Sequence, residues 1–211
     1  MPEKKAHHKL FNKLASFYGL YFESQKRSFN AAIDIARPVM DLSEFNTVLD
    51  VGCGTGALCS VLADRGFVVT GVEPAEKMLA VAVSKTKSQG ISLISGNVLK
   101  GLPFEDKSFD IVTASFVAHG LVPEHRKIMF AEMSRVAKHY VIFHDFNQNR
   151  SLQISLLEWL EGGDYFRFIK TARQEMQSCE TQAGKCFSEV KVINVEKHVD
   201  WYICRPIPMN T

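Results

Sequence analysis

Three glycines alternate within one short stretch of the chain: Gly52, Gly54 and Gly56. The mostly apolar residues 48–51 before them predict a strand buried on both faces, and residues 57–65 after them predict a helix that ends at Gly66. A strand, a glycine turn and a helix N-terminus in this order direct backbone N–H groups at an anionic or strongly polar ligand. Asp50, at the end of the strand, could bind an ammonium group of that ligand, and its carboxylate would repel a diphosphate.

A second carboxylate, Glu73, ends the next apolar run, residues 67–72. A carboxylate about 20 residues after a glycine turn of this kind binds ribose hydroxyls in nucleotide-binding folds. The glycine turn followed by Ala57 also satisfies the dinucleotide fingerprint, so an NAD(P)-dependent oxidoreductase stays open at this point. The residues so far predict a site for a nucleoside-containing cofactor.

Three motifs together resemble those of class I S-adenosylmethionine-dependent methyltransferases. They are Val-Leu-Asp-Val-Gly-Cys-Gly-Thr-Gly at 48–56, Gly-Val-Glu-Pro at 71–74 and Leu-Pro-Phe-x-x-x-x-Phe-Asp at 102–110. The leading Phe-Asn-x-Leu-Ala-x-x-Tyr at 11–18 is similar to the opening of the small-molecule branch that includes the ubiquinone and menaquinone C-methyltransferases. The resemblance covers residues 11–146. It implies S-adenosylmethionine as cofactor, S-adenosylhomocysteine as its product and a small molecule as methyl acceptor.

The resemblance also implies which residues bind the cofactor. They are Tyr18, Asp50, Gly52, Cys53, Gly54, Gly56, Glu73, Pro74, Met78, Asn97, Val98 and Ser115. Met78 would flank the adenine ring, and Asn97 stands where the family usually has the Asp that contacts the adenine amino group. Tyr18 lies in a leading segment that folds over cofactor and substrate as a lid in the family; the alternative is an amphipathic helix packed on the sheet edge.

Three further side chains are candidates for proton transfer: His119, His144 and Asp145. They follow the fourth and fifth predicted strands, and the carboxyl ends of parallel strands are the edge where such sheets bind ligands. A neutral imidazole could accept a proton from a phenol, an acidic carbon or an amine. The alternative is that these residues only pack or form hydrogen bonds. Since the sulfonium already activates the methyl group, the protein needs no nucleophile and must mainly hold the acceptor in line.

The alternation of strand and helix patterns predicts a parallel, doubly wound sheet. Further strands are predicted at residues 91–95, 109–115 and 140–143, and helices at 10–36, 74–88, 122–137 and 165–176. In the helix over 122–137 the apolar residues Ile128, Met129, Met133 and Val136 are expected to face inward.

Pattern and resemblance together predict an α/β, Rossmann-like fold: a doubly wound, mostly parallel seven-stranded sheet with a C-terminal antiparallel hairpin and a helical N-terminal lid. We expect one domain over residues 1–211. Its predicted segments are a leader or lid at 1–37, a cofactor-binding core at 47–146, a substrate cap at 151–185 and a closing hairpin at 187–205. The cap is expected because that stretch is too long for a plain connection.

Composition narrows the classes of function. A net charge of +2 gives no reason to expect a nucleic-acid partner, and the chain has no Asn/Asp-Pro-Pro-Tyr motif after the fourth strand. Its five cysteines include no Cys-x-x-Cys pair, so neither a metal site nor a disulfide framework is expected and a reducing cytoplasm is favoured. No apolar run reaches the length of a membrane span, so we expect no membrane insertion.

Two alternatives to a methyltransferase remain. An NAD(P)-dependent oxidoreductase is disfavoured by the long helical leader before the glycine turn and by the absence of a Tyr-x-x-x-Lys pair. A protein that binds S-adenosylmethionine or its demethylated product without catalysis fits the same residues. We expect calorimetry with S-adenosylmethionine, its product and NAD to separate these classes.

Overall fold

The computed structural model describes residue 15, residues 18–152, residue 155, residues 163–181 and residues 186–208. The chain divides into two compact units, Met1–Asn97 (the N-terminal unit) and Val98–Thr211 (the C-terminal unit). Residues 1–14 of the leader, and most of the predicted cap between 153 and 162, lie outside the described residues. The lid, the cap and the single-domain organisation therefore stay predictions.

The N-terminal unit is built from alternating helices and parallel strands. Its elements are α1 (Phe22–Ala36), β1 (Thr47–Val51), α2 (Ala57–Asp64), β2 (Val68–Glu73), α3 (Glu76–Thr86) and β3 (Ser92–Ser95). β1 pairs in parallel with β2, and β2 pairs in parallel with β3. Val48, Leu49 and Val51 of β1 are all buried, as expected of a strand covered on both faces. The register sets Asp50 opposite Gly71 and Glu73 opposite Ser95.

The C-terminal unit carries the remaining strands. Its elements are β4 (Phe109–Ser115), α4 (Pro123–Val136), β5 (Ala137–Phe146), α5 (Tyr165–Thr181), β6 (Phe187–Glu196) and β7 (Val199–Pro206). β4 and β5 are parallel, whereas β5–β7 and β6–β7 are antiparallel pairs. The strand order of the sheet is β3-β2-β1-β4-β5-β7-β6. This order confirms the predicted mostly parallel, seven-stranded α/β fold with its C-terminal antiparallel hairpin.

Two predictions about the C-terminal unit were wrong in detail. β5 runs to Phe146, so His144 and Asp145 lie within the strand instead of after it. The reason is β7, whose antiparallel pairing extends the ladder to this end of β5. Ile128 does not face inward: it is 45% exposed, because it lies on the solvent side of α4. Met129, Met133 and Val136 are buried as predicted.

Side chains of α4 hold the Leu-Pro-Phe motif in place through hydrogen bonds to the backbone of the motif. Glu132 accepts the N–H of Leu102 at 2.6 Å, and Arg135 donates to the carbonyl oxygens of Leu102 (3.2 Å) and Phe104 (2.8 Å). The ring of Phe104 packs edge-on against that of Phe109, with centroids 4.9 Å apart. The spacing of this motif therefore has a structural cause, since it positions the turn that leads into β4.

Candidate cofactor and proton-transfer sites

The glycine turn is fixed to the end of β2 by backbone hydrogen bonds. Gly52, Gly54 and Gly56 have φ angles of 73°, 55° and 80°, all in the left-handed region that favours glycine. The N–H groups of Gly52 and Cys53 both donate to the carbonyl oxygen of Val72, at 2.8 and 3.1 Å. These hydrogen bonds and φ angles define the shape of the turn.

Gly54 and Gly56 differ in the atoms that an added side chain would contact. A Cβ at Gly54 would meet the terminal methyl group of Met78 at 3.5 Å, which is ordinary contact with a flexible side chain. A Cβ at Gly56 would lie 3.1 Å from the Cβ of Ala82 and 3.2 Å from Cγ2 of Thr86, both on α3. Gly56 therefore permits the close packing of α2 on α3, which is a structural role in addition to its place in the predicted cofactor site.

Glu73 joins the end of β2 to the glycine turn. Its buried carboxylate accepts the N–H of Gly54 at Oε2 (2.9 Å) and the N–H of Ala75 at Oε1 (2.8 Å). Burial raises the pKa of Glu73, and the nearby Asp50 charge raises it further, whereas the two amide hydrogen bonds lower it. Each carboxylate oxygen has two acceptor positions, so Glu73 keeps acceptor capacity for ligand hydroxyls.

Asp50 is buried at the end of β1 and is supported by a thiol. The Sγ of Cys59 donates to Oδ2 of Asp50 at 3.3 Å. The hydrogen bond with Cys53 and burial hold the pKa of Cys59 well above its usual value, so Cys59 stays a neutral donor. A Cβ at Gly71 would lie 2.9 Å from the sulfur of Cys53 and 3.0 Å from that of Cys59. The two thiols therefore fill the space over Gly71, and the Cys53 side chain packs inside the unit.

A small apolar cluster links the leader to α3. Ala15, Ala75 and Met78 are its buried members, and Tyr18 and Val81 pack against it. Since Met78 also neighbours Gly54, the structure brings three predicted cofactor residues, Tyr18, Met78 and Gly54, into one neighbourhood.

The remaining predicted cofactor residues follow strand ends. Pro74 directly follows β2, and Asn97 follows β3 within the N-terminal unit. Val98 and Ser115 belong to the C-terminal unit, where Val98 is the buried first residue of a 3-10 turn and Ser115 ends β4.

In the C-terminal unit, His119 and Asp145 form a buried pair. Nδ1 of His119 lies 2.7 Å from Oδ1 of Asp145. The Asp145 carboxylate also accepts the backbone N–H groups of Ala118 (3.0 Å), His119 (3.3 Å) and Phe146 (2.8 Å). The structure therefore unites two of the three predicted proton-transfer residues. It also shows that Asp145 holds the 3-10 turn that carries His119.

His144, the third candidate, has a different partner. The indole N–H of Trp201 donates to its Nδ1 at 2.8 Å, across the β5–β7 pair. Burial lowers the pKa of His144 to about 4, against a smaller opposing effect of the Asp145 charge. His144 is therefore neutral at pH 7.

Aromatic rings surround the two histidines, and sequence reasoning did not single out most of them. The ring of Phe146 lies 4.8 Å from that of His119, and Phe116 lies 4.9 Å from that of His144. Phe116 has a φ of 55°, an uncommon conformation for a bulky residue, and it is 38% exposed. Backbone strain of this kind clusters at functional sites. Its position directly after β4 is the signal that could have marked it.

Arg126 of α4 is fully buried and connects α4 to α5 through hydrogen bonds. Its guanidinium donates twice to Glu175 at 2.7 Å, to Asp164 at 3.0 Å and to the carbonyl oxygen of Leu121. It also lies over the ring of Phe168, 5.4 Å from the centroid. No sequence signal marks this network, because the acidic partners lie 38 and 49 positions away.

The backbone at Gly163, just before α5, also packs closely against the turn that carries His119. A Cβ at Gly163 would lie 3.0 Å from the Cα of Gly120, which is closer than nine in ten real Cβ contacts. The start of α5 therefore approaches the turn that carries His119 with no side chain between them.

Two kinds of feature are absent from the described part of the chain. It holds no group of three or more His, Cys, Asp or Glu residues arranged to bind a metal ion. Among its helices, none has the length and apolar character needed to cross a membrane.

Residues 49–143 match a family model described as a methyltransferase domain. The demethylmenaquinone methyltransferase of Bacillus licheniformis is 35% identical over 142 residues, which cover 64% of this chain and 58% of that protein. The Bacillus pumilus enzyme of the same name is 38% identical over 112 residues, covering 50% of this chain and 46% of that protein. The chain thus matches about half the length of these relatives.

Solved structures share the fold over most of the chain. A Methanococcus maripaludis protein has a TM-score of 0.66 at 16% identity and covers 94% of both chains. The magnesium protoporphyrin IX methyltransferase of Synechocystis has a TM-score of 0.59 at 16% identity, covering 86% of this chain and 84% of that one. With the family match over residues 49–143, these findings confirm the resemblance to methyltransferases, and the chain shares the fold of these solved structures.

Proposed function

We propose that the chain binds S-adenosylmethionine through its N-terminal unit and transfers the methyl group to a small, partly apolar molecule. S-adenosylhomocysteine is then the second product. The observation that carries this proposal is the pair of buried carboxylates, Asp50 and Glu73, at the ends of neighbouring strands beside the glycine turn.

This pair of carboxylates discriminates between nucleoside cofactors. A diphosphate would bring negative charge next to two buried carboxylates, and like charges in a site of low dielectric constant repel strongly. An amino-acid-bearing nucleoside with a sulfonium carries positive charge and offers N–H and O–H donors. Asp50 then takes the ammonium group, and Glu73 takes the ribose hydroxyls through charge-assisted hydrogen bonds.

The other predicted contacts take the remaining parts of the cofactor. Within the N-terminal unit, Met78 and Asn97 are proposed to contact the adenine. Tyr18 is proposed to cover the bound cofactor, since it packs on the same cluster as Met78.

The chemistry asked of the protein is positioning. The acceptor atom attacks the methyl carbon in line, and the bond from that carbon to sulfur breaks with its electron pair going to sulfur. Holding the acceptor at attack distance and excluding water can lower the barrier by several kcal/mol.

Calorimetry with S-adenosylmethionine, S-adenosylhomocysteine and NAD tests the proposal. We expect the first two to bind and NAD not to bind. Glu73→Gln should weaken S-adenosylmethionine binding at least about tenfold, because a neutral amide replaces a charged acceptor. Glu76→Gln, on the exposed first turn of α3, is the matched control and should bind as the parent does. NAD binding more tightly than S-adenosylmethionine would overturn the proposal.

A further inference from the structure

We propose that His119, oriented by Asp145, takes up a proton during methyl transfer, and that the acceptor is therefore a neutral molecule with a hydrogen on the attacked atom. This inference rests on the proposed function and narrows its acceptor class to proton-bearing nucleophiles. In this proposal His119 is the catalytic residue and Asp145 positions it. His144 does not act as a base.

The hydrogen bonds of Asp145 fix the protonation pattern of His119. Three backbone N–H groups donate to this carboxylate, and a backbone N–H can only donate. Both oxygens of Asp145 therefore already act as acceptors. A carboxylate oxygen accepts hydrogen bonds, so Nδ1 of His119, 2.7 Å away, carries the hydrogen. In neutral His119 the lone pair is therefore on Nε2, which is the atom able to accept a proton.

The same reasoning gives His144 the opposite tautomer. The indole of Trp201 is a donor only, so Nδ1 of His144 must be the acceptor of their 2.8 Å hydrogen bond. Neutral His144 then carries its hydrogen on Nε2. Nδ1 is engaged as the acceptor from Trp201, Nε2 carries the hydrogen, and burial disfavours the doubly protonated form. His144 is thus unsuited to act as a base.

The surroundings of His119 favour a neutral acceptor. Its imidazole is 7% exposed and is packed against the rings of Phe146, at 4.8 Å, and of Tyr165 and Phe168, both at 6.4 Å. The Asp145 carboxylate is in direct contact with this imidazole. The positive charge of Arg126 lies across Phe168 and is balanced by Asp164 and Glu175. A mostly aromatic wall of this kind makes a charged acceptor costly to desolvate.

The proposed step conserves atoms and charge. The acceptor atom donates its electron pair to the methyl carbon of the sulfonium, and the carbon–sulfur bond breaks to leave a neutral thioether. The hydrogen on the acceptor atom passes as a proton to Nε2 of His119, which becomes an imidazolium stabilised by the Asp145 carboxylate. That proton then leaves to water. His119 ends each cycle in its starting form.

Long-range ¹H–¹⁵N NMR of the ¹⁵N-labelled full chain tests the tautomers without a known acceptor. At pH 7.5 we expect the hydrogen of His119 on Nδ1 and that of His144 on Nε2. Asp145→Asn should move the His119 hydrogen to Nε2, because an amide can donate to Nδ1. A hydrogen on Nε2 of His119 in the parent chain would overturn the proposal.

Product formation tests the role itself. S-adenosylhomocysteine release is measured with a panel of phenols and thiols and with iodide, an acceptor that has no proton to lose. His119→Gln should lower turnover of the proton-bearing acceptors by at least about 100-fold and leave the rate with iodide unchanged. His125→Gln, on α4, is the matched control and should change neither rate.

The outcomes keep this inference separate from the proposed function. Unchanged affinity for S-adenosylmethionine in His119→Gln, measured by calorimetry, shows that cofactor binding stands, and unchanged hydrogen exchange of β5 amides shows that the C-terminal unit folds. Equal turnover of phenols and thiols by this variant and the parent would overturn the base role alone. Absence of S-adenosylmethionine binding in the parent chain would instead overturn the proposed function.

Discussion

The two candidate sites are built in contrasting ways. The candidate cofactor site of the N-terminal unit depends mainly on backbone, with glycines of left-handed φ angle and amides that donate to Val72 and Glu73; its two carboxylates lie near strand ends. The proton-transfer site of the C-terminal unit is made of buried side chains, with His119 on Asp145, His144 on Trp201 and Arg126 on two carboxylates.

This contrast teaches where each site is vulnerable. A site made of backbone conformation is sensitive to any added side chain, whereas a site made of buried polar side chains is sensitive to the loss of one partner. Substitutions in the two regions should therefore reduce stability for different physical reasons. Three experiments, given from the largest expected effect to the smallest, test that difference.

The largest effect is expected from Arg126→Met. This change leaves Glu175 and Asp164 without the cation that compensates them, at a cost of about 3–5 kcal/mol in the free energy of unfolding. Hydrogen exchange of β5 amides, which reports on the C-terminal unit itself, is the measurement. Arg205→Met breaks the exposed pair with Glu189 and should cost no more than about 1 kcal/mol. Equal losses in both variants would contradict the importance given to the buried network.

The next effect is the pH dependence that His144 contributes to stability. Its pKa is about 4 in the fold against 6.5 ordinarily, so the unfolded chain takes up the proton first as the pH falls. The free energy of unfolding should therefore decrease between about pH 6.5 and pH 4, by about 2–3 kcal/mol from this group. His144→Gln keeps an acceptor for Trp201 and removes the titration. Urea denaturation at pH 7 and pH 4.5 should show a smaller acid loss in the variant; equal losses would exclude His144 as the source.

The smallest effect compares two glycines of left-handed conformation. Gly66→Ala introduces backbone strain alone, since a Cβ there meets nothing within 4 Å, and should cost about 1–2 kcal/mol. Gly56→Ala adds crowding against Ala82 and Thr86 and should cost more than Gly66→Ala by denaturation. A smaller cost at Gly56 would show that the α2–α3 contact yields easily, and would weaken the rigid-turn description of the cofactor site.

The sequence predicted the N-terminal unit well because its signals are local. The strand before Gly52, the helix after Gly56 and the carboxylate at Glu73 lie in chain order, and each is marked by its neighbours in sequence. Periodicity and glycine placement report such features directly. The contacts of Asp50 and Glu73 with a bound cofactor remain predictions.

The C-terminal site was less predictable because its contacts are long-range. His119 and Asp145 were selected from their places near strand ends, and the structure pairs them although 26 positions separate them. The position of His144 inside β5 depends on β7, which comes much later in the chain. No pattern among the neighbouring residues indicated that Arg126 is buried, since a charged residue on an amphipathic helix ordinarily faces solvent. Only the folded chain shows that it is enclosed.

The contact between Gly120 and Gly163 offers a practical means of adjusting this region. The two backbones are in contact there without intervening side chains. Larger side chains at position 163 would therefore push the two segments apart, and the displacement should increase with the size of the side chain. Alanine, serine and valine in turn should move the start of α5 away from the His119 turn in small increments. Such a series would let an engineer vary the packing of α5 against the His119 turn without replacing His119 or Asp145.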